Sequence, residues 1–142
     1  MPFMLLDLVG IPVYVVADGD ADGAERKHPN DSTRRAEAAG SHELATHALL
    51  AWLPQCDSAR IGSLPYEWGN PTTITDRWCV LRDDLEAELE TWPECVQELA
   101  VGGQQLRSKN VATVRSAVCD ADLGGLPDVL RQLIRALSDS GR

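Results

Sequence analysis

Apolar residues run along the chain in short blocks separated by polar turns, and the spacing within each block sorts strands from helices. The first block, Val9-Gly10-Ile11-Pro12-Val13-Tyr14-Val15-Val16-Ala17, is nearly unbroken and rich in β-branched residues. It predicts a strand buried on both faces, as in a parallel sheet. Ahead of it, Leu5, Leu6 and Leu8 read as the last turn of a helix stopped by Gly10. A polar loop follows from Ala24 to Asp31. With Asp31 or Ser32 as its cap, the next helix is expected to run to about Leu53, where Pro54 closes it. Leu44, Ala48, Leu49 and Trp52 recur at helical spacing within it, and Gly40 interrupts its first half. Residues 54–72, rich in Pro, Gly, Ser and Asn, read as a long irregular connection.

Trp78-Cys79-Val80-Leu81 is a second apolar block and predicts a second strand. It leads into Arg82-Asp83-Asp84-Leu85-Glu86, which is expected to open a short helix through about Glu90. Thr91 is the candidate cap of the next helix, with Pro93 in its first turn and Gly102-Gly103 as its stop. A further helix, from about Gln105 to Cys119, would place Val111, Val114 and Val118 on one face. The last, Pro127 to Leu137, carries an apolar stripe of Leu126, Val129, Leu130, Leu133, Ile134 and Leu137, and residues 138–142 are expected to fray. Strands alternating with helices predict an α/β fold, a parallel sheet with flanking helices, in a single domain spanning residues 1–142.

Composition narrows the function classes. The chain has 142 residues, 44% apolar and 25% charged, the balance of a globular protein rather than a disordered one. No apolar run approaches the roughly 18 residues that a membrane-spanning helix needs. The N-terminus, Met1-Pro2-Phe3-Met4-Leu5-Leu6-Asp7, lacks the basic start of a secretory signal. Cys56, Cys79, Cys95 and Cys119 form no Cys-x-x-Cys pair and have no histidine at zinc spacing. Both features point to a cytoplasmic protein with free, mostly buried thiols. The 22 acidic residues exceed the 13 basic ones, for a net charge of −9, which argues against tight unaided binding to nucleic acid.

Three features bear on chemistry. Asp18-x-Asp20-x-Asp22-Gly23 follows the first strand directly, and ligand sites of open α/β sheets lie at the carboxyl ends of strands. Carboxylates spaced by two across a tight turn can converge on one hard divalent cation. An EF-hand loop is excluded, because Pro29 stands where its closing Glu is required. The plain alternative is a polar turn ending a strand. Asp84-Leu85-Glu86 ends the second strand, and its plain alternative is an acidic first helical turn. Lys109, one of two lysines in the chain, lies near Arg107 and Arg115. Together, acids at two strand ends and a nearby lysine are the equipment of metal-dependent phosphodiester chemistry.

The stretch from Gly10 to Asp20 resembles the strand and DxD motif of a Toprim domain. With Asp84-Leu85-Glu86, then Lys109, then a final helix opened by Pro127, the order over roughly residues 5–137 resembles the C-terminal part of the Toprim domain of OLD-family ATP-dependent endonucleases. The resemblance implies that Asp18, Asp20, Asp84 and Glu86 ligate Mg²⁺ or Mn²⁺, in one or two metal sites. It also implies that Lys109 steadies the scissile phosphate of DNA, while Asp22 has no fixed counterpart and is kept as an accessory ligand. A full Toprim begins with a strand ending in a catalytic Glu, and in this family an ATPase domain precedes it. Both would lie before residue 1, so the chain is expected to need an ATPase or a complementary Toprim partner chain, or to form an oligomer. Glu25 and Glu43 are candidate replacements for the missing Glu.

A second reading is a non-catalytic, acidic interaction or regulatory protein on the same scaffold, in a phage-defence context, docking on a basic partner surface. Its sheet edge would be open to pairing. His28, His42 and His47 do not form a metal set by spacing, and Trp52, Trp68, Trp78 and Trp92 read as core or shoulder residues. Arg26, Lys27, Arg34 and Arg35 flank the Asp-rich loop, either as a charge-balanced surface or as contacts to DNA phosphates.

Overall fold

A computed structural model describes residues 13–51, 66–75, 77–108 and 111–140. They form a mixed α/β structure, mostly helical, with a small three-stranded mixed sheet. The described residues divide into two compact units: those up to Asp84 together with those from Leu133 onward, and Leu85–Gln132.

The first unit holds the sheet. β1 (Val15–Asp18) lies parallel to β3 (Trp78–Leu81), with Val15 opposite Trp78 and Asp18 opposite Leu81. β2 (Thr73–Ile74) pairs antiparallel on the other side of β3, giving the order β1-β3-β2. The sheet is therefore mixed, which corrects the expectation of a parallel one. The signal for β2 was the β-branched run Thr72-Thr73-Ile74-Thr75, whose end is tied down when the Tyr14 hydroxyl donates to the Thr75 carbonyl at 2.9 Å. All four residues of β3 are buried, as a central strand requires. Trp78 and Val80 pack with Leu50, Val15 and Tyr66 on one side, and Cys79 and Leu81 pack with Leu133, Tyr14 and Ile74 on the other. Burying a side chain of this size contributes about 1.5–3 kcal/mol.

Two helices of this unit follow β1. α1 (Gly23–Lys27) occupies part of what the sequence reads as a loop. α2 (Ser32–Ala51) begins where expected, and Asp31 is the cap, its Oδ1 accepting from the Arg34 amide at 3.0 Å. The face of α2 turned inward is not the predicted one. Thr46 and Leu50 are buried, His42 is half-buried, and Leu44 is 71% exposed. Gly40 sits inside the helix with open space around the position of a Cβ. The predicted helix end at Leu5–Leu8, most of the 54–72 connection and Trp52 lie outside the described residues.

The second unit is helical: α3 (Leu85–Glu90), α4 (Pro93–Val101), a 3₁₀ turn (Leu106–Ser108) and α5 (Val111–Asp120). Its core gathers Leu89, Trp92, Cys95, Leu99, Leu106, Ala117, Ala121 and Leu130. Trp92, not Thr91, holds the N-cap position of α4 in an extended conformation, and the Thr91 hydroxyl donates instead to the Glu88 carbonyl at 2.7 Å. Trp92 is 1% exposed and its indole N–H donates to the Asp122 carbonyl at 3.2 Å, so burial rather than capping fixes this corner. The predicted helix from Gln105 is a 3₁₀ turn followed by a separate helix, and Val111 is 79% exposed while Val114 and Val118 pack on the core.

α6 (Asp128–Ser140) starts in the second unit, and its residues from Leu133 onward belong to the first. The helix continues through Ser140, and the Ser138 hydroxyl donates to the Ile134 carbonyl at 2.9 Å. Cys79 and Cys95 are buried free thiols and Cys119 is an exposed one. Burial pushes the Cys95 thiol pKa up. Among the described residues, no helix is long and apolar enough to cross a membrane.

Two glycines on the first unit make opposite demands. A Cβ at Gly19 would collide with the backbone carbonyl oxygens of Leu81 and Arg82, whereas one at Gly40 would meet nothing. Urea unfolding is expected to show Gly19→Ala destabilised by about 3 kcal/mol. Gly40→Ala is expected to be stabilised by about 0.5–1 kcal/mol, since alanine is the better helix former and loses less freedom on folding.

Candidate metal centre

Beyond their last paired residues, β1 and β3 stay joined. The Gly19 amide donates to the Leu81 carbonyl at 2.9 Å, Asp20 to Asp83 at 2.9 Å and Ala21 to Arg82 at 3.2 Å. This zipper lays the loop after β1 against the loop after β3, at the carboxyl ends of the parallel pair. The chain then turns sharply, with the Gly23 amide donating to the Asp20 carbonyl at 3.1 Å. Asp20 takes the left-handed conformation, φ 52°, a region Asp tolerates better than most residues.

The turn brings Asp20, Asp83 and Asp84 together, each with a carboxylate oxygen within 4.8 Å of the others. Asp83 is the buried member, at 4% exposure. Its Oδ1 accepts from the Asp22 amide at 3.2 Å, and its Oδ2 is ion-paired with Nη1 of Arg26. The second arm of the same guanidinium, Nη2, reaches Asp84 Oδ2 at 2.9 Å. Asp20 Oδ2 lies 3.2 Å from His42 Nδ1. Arg82 pairs with Asp22 at 3.0 Å and donates to the Gly69 carbonyl at 2.5 Å, while the Trp68 indole N–H donates to the Gly19 carbonyl at 2.7 Å. These bonds strap residues 68–70 over the same turn.

Of the residues the sequence singled out, Asp20 and Asp84 meet here. Asp18, the last residue of β1, is exposed and is not a member of the cluster among the described residues. Asp22 contributes its amide to Asp83 and its carboxylate to Arg82. Glu86 belongs to the second unit, in the first turn of α3, where it borders a mostly apolar hollow with Leu89, Leu106, Val114 and Arg115. Lys109 lies outside the described residues. Glu25 is ion-paired with Arg35 at 3.6 Å, and neither Glu25 nor Glu43 is in the cluster.

Sequence reasoning did not assign Asp83, which it placed within a helix opening, or His42, which it set aside with the other histidines. β3 in fact ends in a bend over 82–84 and α3 starts only at Leu85, so both aspartates remain on the strand-end loop. The signal for His42 was its four-residue spacing with Thr46 and Leu50 along one face of α2. Three of the four basic residues beside the loop are engaged with acids and carbonyls: Arg26 as above, Arg34 with Asp31 at 3.4 Å, and Arg35 with Glu25 and the Pro29 carbonyl. In this structure they balance charge.

The donor set suits a hard cation, since Asp20, Asp83 and Asp84 offer carboxylate oxygens of the type that Mg²⁺ and Mn²⁺ take. A positive group, the Arg26 guanidinium, already stands between two of them. The chain matches no family model, no curated protein and no solved structure.

Burial ranks the aspartates of this site by what their loss costs. Asp83→Ala, which strips Arg26 and the Asp22 amide of a buried partner, is expected to lower stability by about 3 kcal/mol. Asp22→Ala, at a half-exposed pair, is expected to cost at most about 1 kcal/mol. Urea denaturation of the two variants side by side checks the ranking.

Proposed function

We propose that Asp20, Asp83 and Asp84 hold a divalent cation, Mg²⁺ or Mn²⁺, and that the chain is a component of a metal-dependent DNA endonuclease. The observation that carries this reading is the convergence of three carboxylates within 4.8 Å at the carboxyl ends of two parallel strands. The DNA part of the reading comes from the resemblance to the Toprim domain of OLD-family endonucleases, which implies that Asp18, Glu86 and Lys109 also take part. A cation at such a site polarises a phosphoryl oxygen and lowers the pKa of bound water. The chain's own residues would prepare the site: His42 orients the Asp20 carboxylate, the Asp22 amide holds Asp83, and Arg82 and Trp68 brace the turn. With 22 acids against 13 bases, DNA affinity would come from the cation and from a partner, an ATPase or complementary Toprim chain, in the cytoplasm.

A second reading has one observation in its favour. Arg26 already neutralises two of the three carboxylates, as expected of a purely structural network in an acidic interaction protein.

Mn²⁺ titration followed by electron paramagnetic resonance separates the two. The nuclease reading expects binding by the wild-type chain at millimolar Mn²⁺, weakened about tenfold or more in Asp20→Asn. It also expects Mn²⁺-dependent nicking of supercoiled DNA that Asp20→Asn abolishes. No binding at millimolar Mn²⁺, or nicking that survives the substitution, would leave the structural reading standing.

A further inference from the structure

We infer that the apolar hollow of the second unit, bordered by α3, the 3₁₀ turn and α5, is a binding site for a free aliphatic amino acid of the leucine type. The inference stands apart from the cation reading and uses different residues of the fold.

The hollow is lined by residues of this unit alone and has a volume of about 290 Å³. Ligand pockets run from roughly 300 to 1,000 Å³, so its size suits a small molecule and not a nucleotide or a helix. Leu89 and Leu106 are buried at its floor, with Val114 half-buried beside them. Leu85 and Val111, at 43% and 79% exposure, stand at the rim with aliphatic surface still in water. An apolar ligand body that covers this surface is bound favourably. The lining holds leucine and valine and no aromatic ring, which favours a branched aliphatic body over a stacked one.

Two polar side chains border the same hollow, Glu86 from α3 and Arg115 from α5. Among the described residues neither side chain makes an ion pair or a hydrogen bond, so the two are not joined to each other. The other two arginines of the unit are engaged: Arg107 donates to Glu90 at 3.0 Å, and Arg131 to the Leu126 carbonyl at 3.1 Å. Arg115 thus offers a guanidinium fork, which pairs best with a carboxylate, and Glu86 offers acceptor oxygens, which pair best with an ammonium. An α-amino acid carries both groups on one carbon and a side chain for the floor. An aliphatic acid without the ammonium would satisfy Arg115 but set its carboxylate beside that of Glu86.

Leucine titrated into the full chain, followed by methyl-resolved NMR, tests the assignment. The methyl signals of Leu85, Leu89, Leu106, Val111 and Val114 are expected to shift and to saturate by about 10 mM, since a small ligand in an open hollow binds weakly. Isocaproate lacks the ammonium, and leucinamide lacks the carboxylate and stands for a peptide N-terminus. Each is expected to bind about tenfold more weakly, having lost one charge-assisted hydrogen bond. Arg115→Gln is expected to weaken leucine about tenfold and to erase its advantage over leucinamide, and Glu86→Gln to erase its advantage over isocaproate. A merely damaged hollow would instead weaken every ligand alike, and that pattern overturns the assigned contacts. No methyl shift at about 10 mM leucine overturns the site. Equal binding of leucine, isocaproate and leucinamide by the wild type overturns the amino-acid assignment. Neither result bears on Mn²⁺ binding, which Asp20→Asn reads separately.

Discussion

The carboxylate of Asp83 is withdrawn from water, at 4% exposure, and a charge in that position is tolerable only with a positive partner and hydrogen bonds in place. Much of the surrounding geometry answers to that demand. Arg26 supplies the charge, so α1 must begin within a few residues of the end of β1. That requires the tight turn from Asp20 to Gly23, in which Asp20 accepts a left-handed backbone and the Asp22 amide is delivered to Asp83. The turn is held in register by the amide–carbonyl zipper that continues β1 and β3 beyond their paired residues, which tolerates no side chain at Gly19. A local electrostatic need is met by backbone hydrogen bonds that reach across about sixty residues of sequence.

The same need explains why the site is strongly polar in a unit whose apolar clusters are small. Three carboxylates share one guanidinium in a partly buried region. An excess of carboxylate oxygens over the cation beside them is the physical ground for the proposed metal site. Arg82 and Asp22, more exposed, form a cancelling pair beside it and leave this balance unchanged.

The parts of this arrangement written in local patterns could be read from the chain. β3 was legible to the residue because four buried apolar positions end abruptly in charge, and α4 because Pro93 opens it and Gly102-Gly103 close it. Asp20 and Asp84 were legible because acids directly after apolar strands fall at a carboxyl edge. What escaped depends on contacts distant in sequence. α1 has no apolar periodicity, and its amide bonds are supported by a side chain clamped to residues 83 and 84. The inward face of α2 carries His42 and Thr46 as well as Leu50, so a count of apolar residues pointed to Leu44, on the solvent side. Asp83 was hidden because the helix that seemed to include it starts two residues later, a boundary shift of the ordinary size that here decides which acids share a site.

Charge also bears on how such a site could meet DNA. Nucleic-acid affinity needs cations free to replace the counterions of phosphates. Around this cluster Arg26, Arg34, Arg35 and Arg82 are each directed to an acid of the same chain. A phosphate approaching this face meets arginines already committed and carboxylates in excess, and is repelled. Under the nuclease reading, a partner chain with its own basic surface would have to supply the DNA affinity, because this chain carries a net charge of −9.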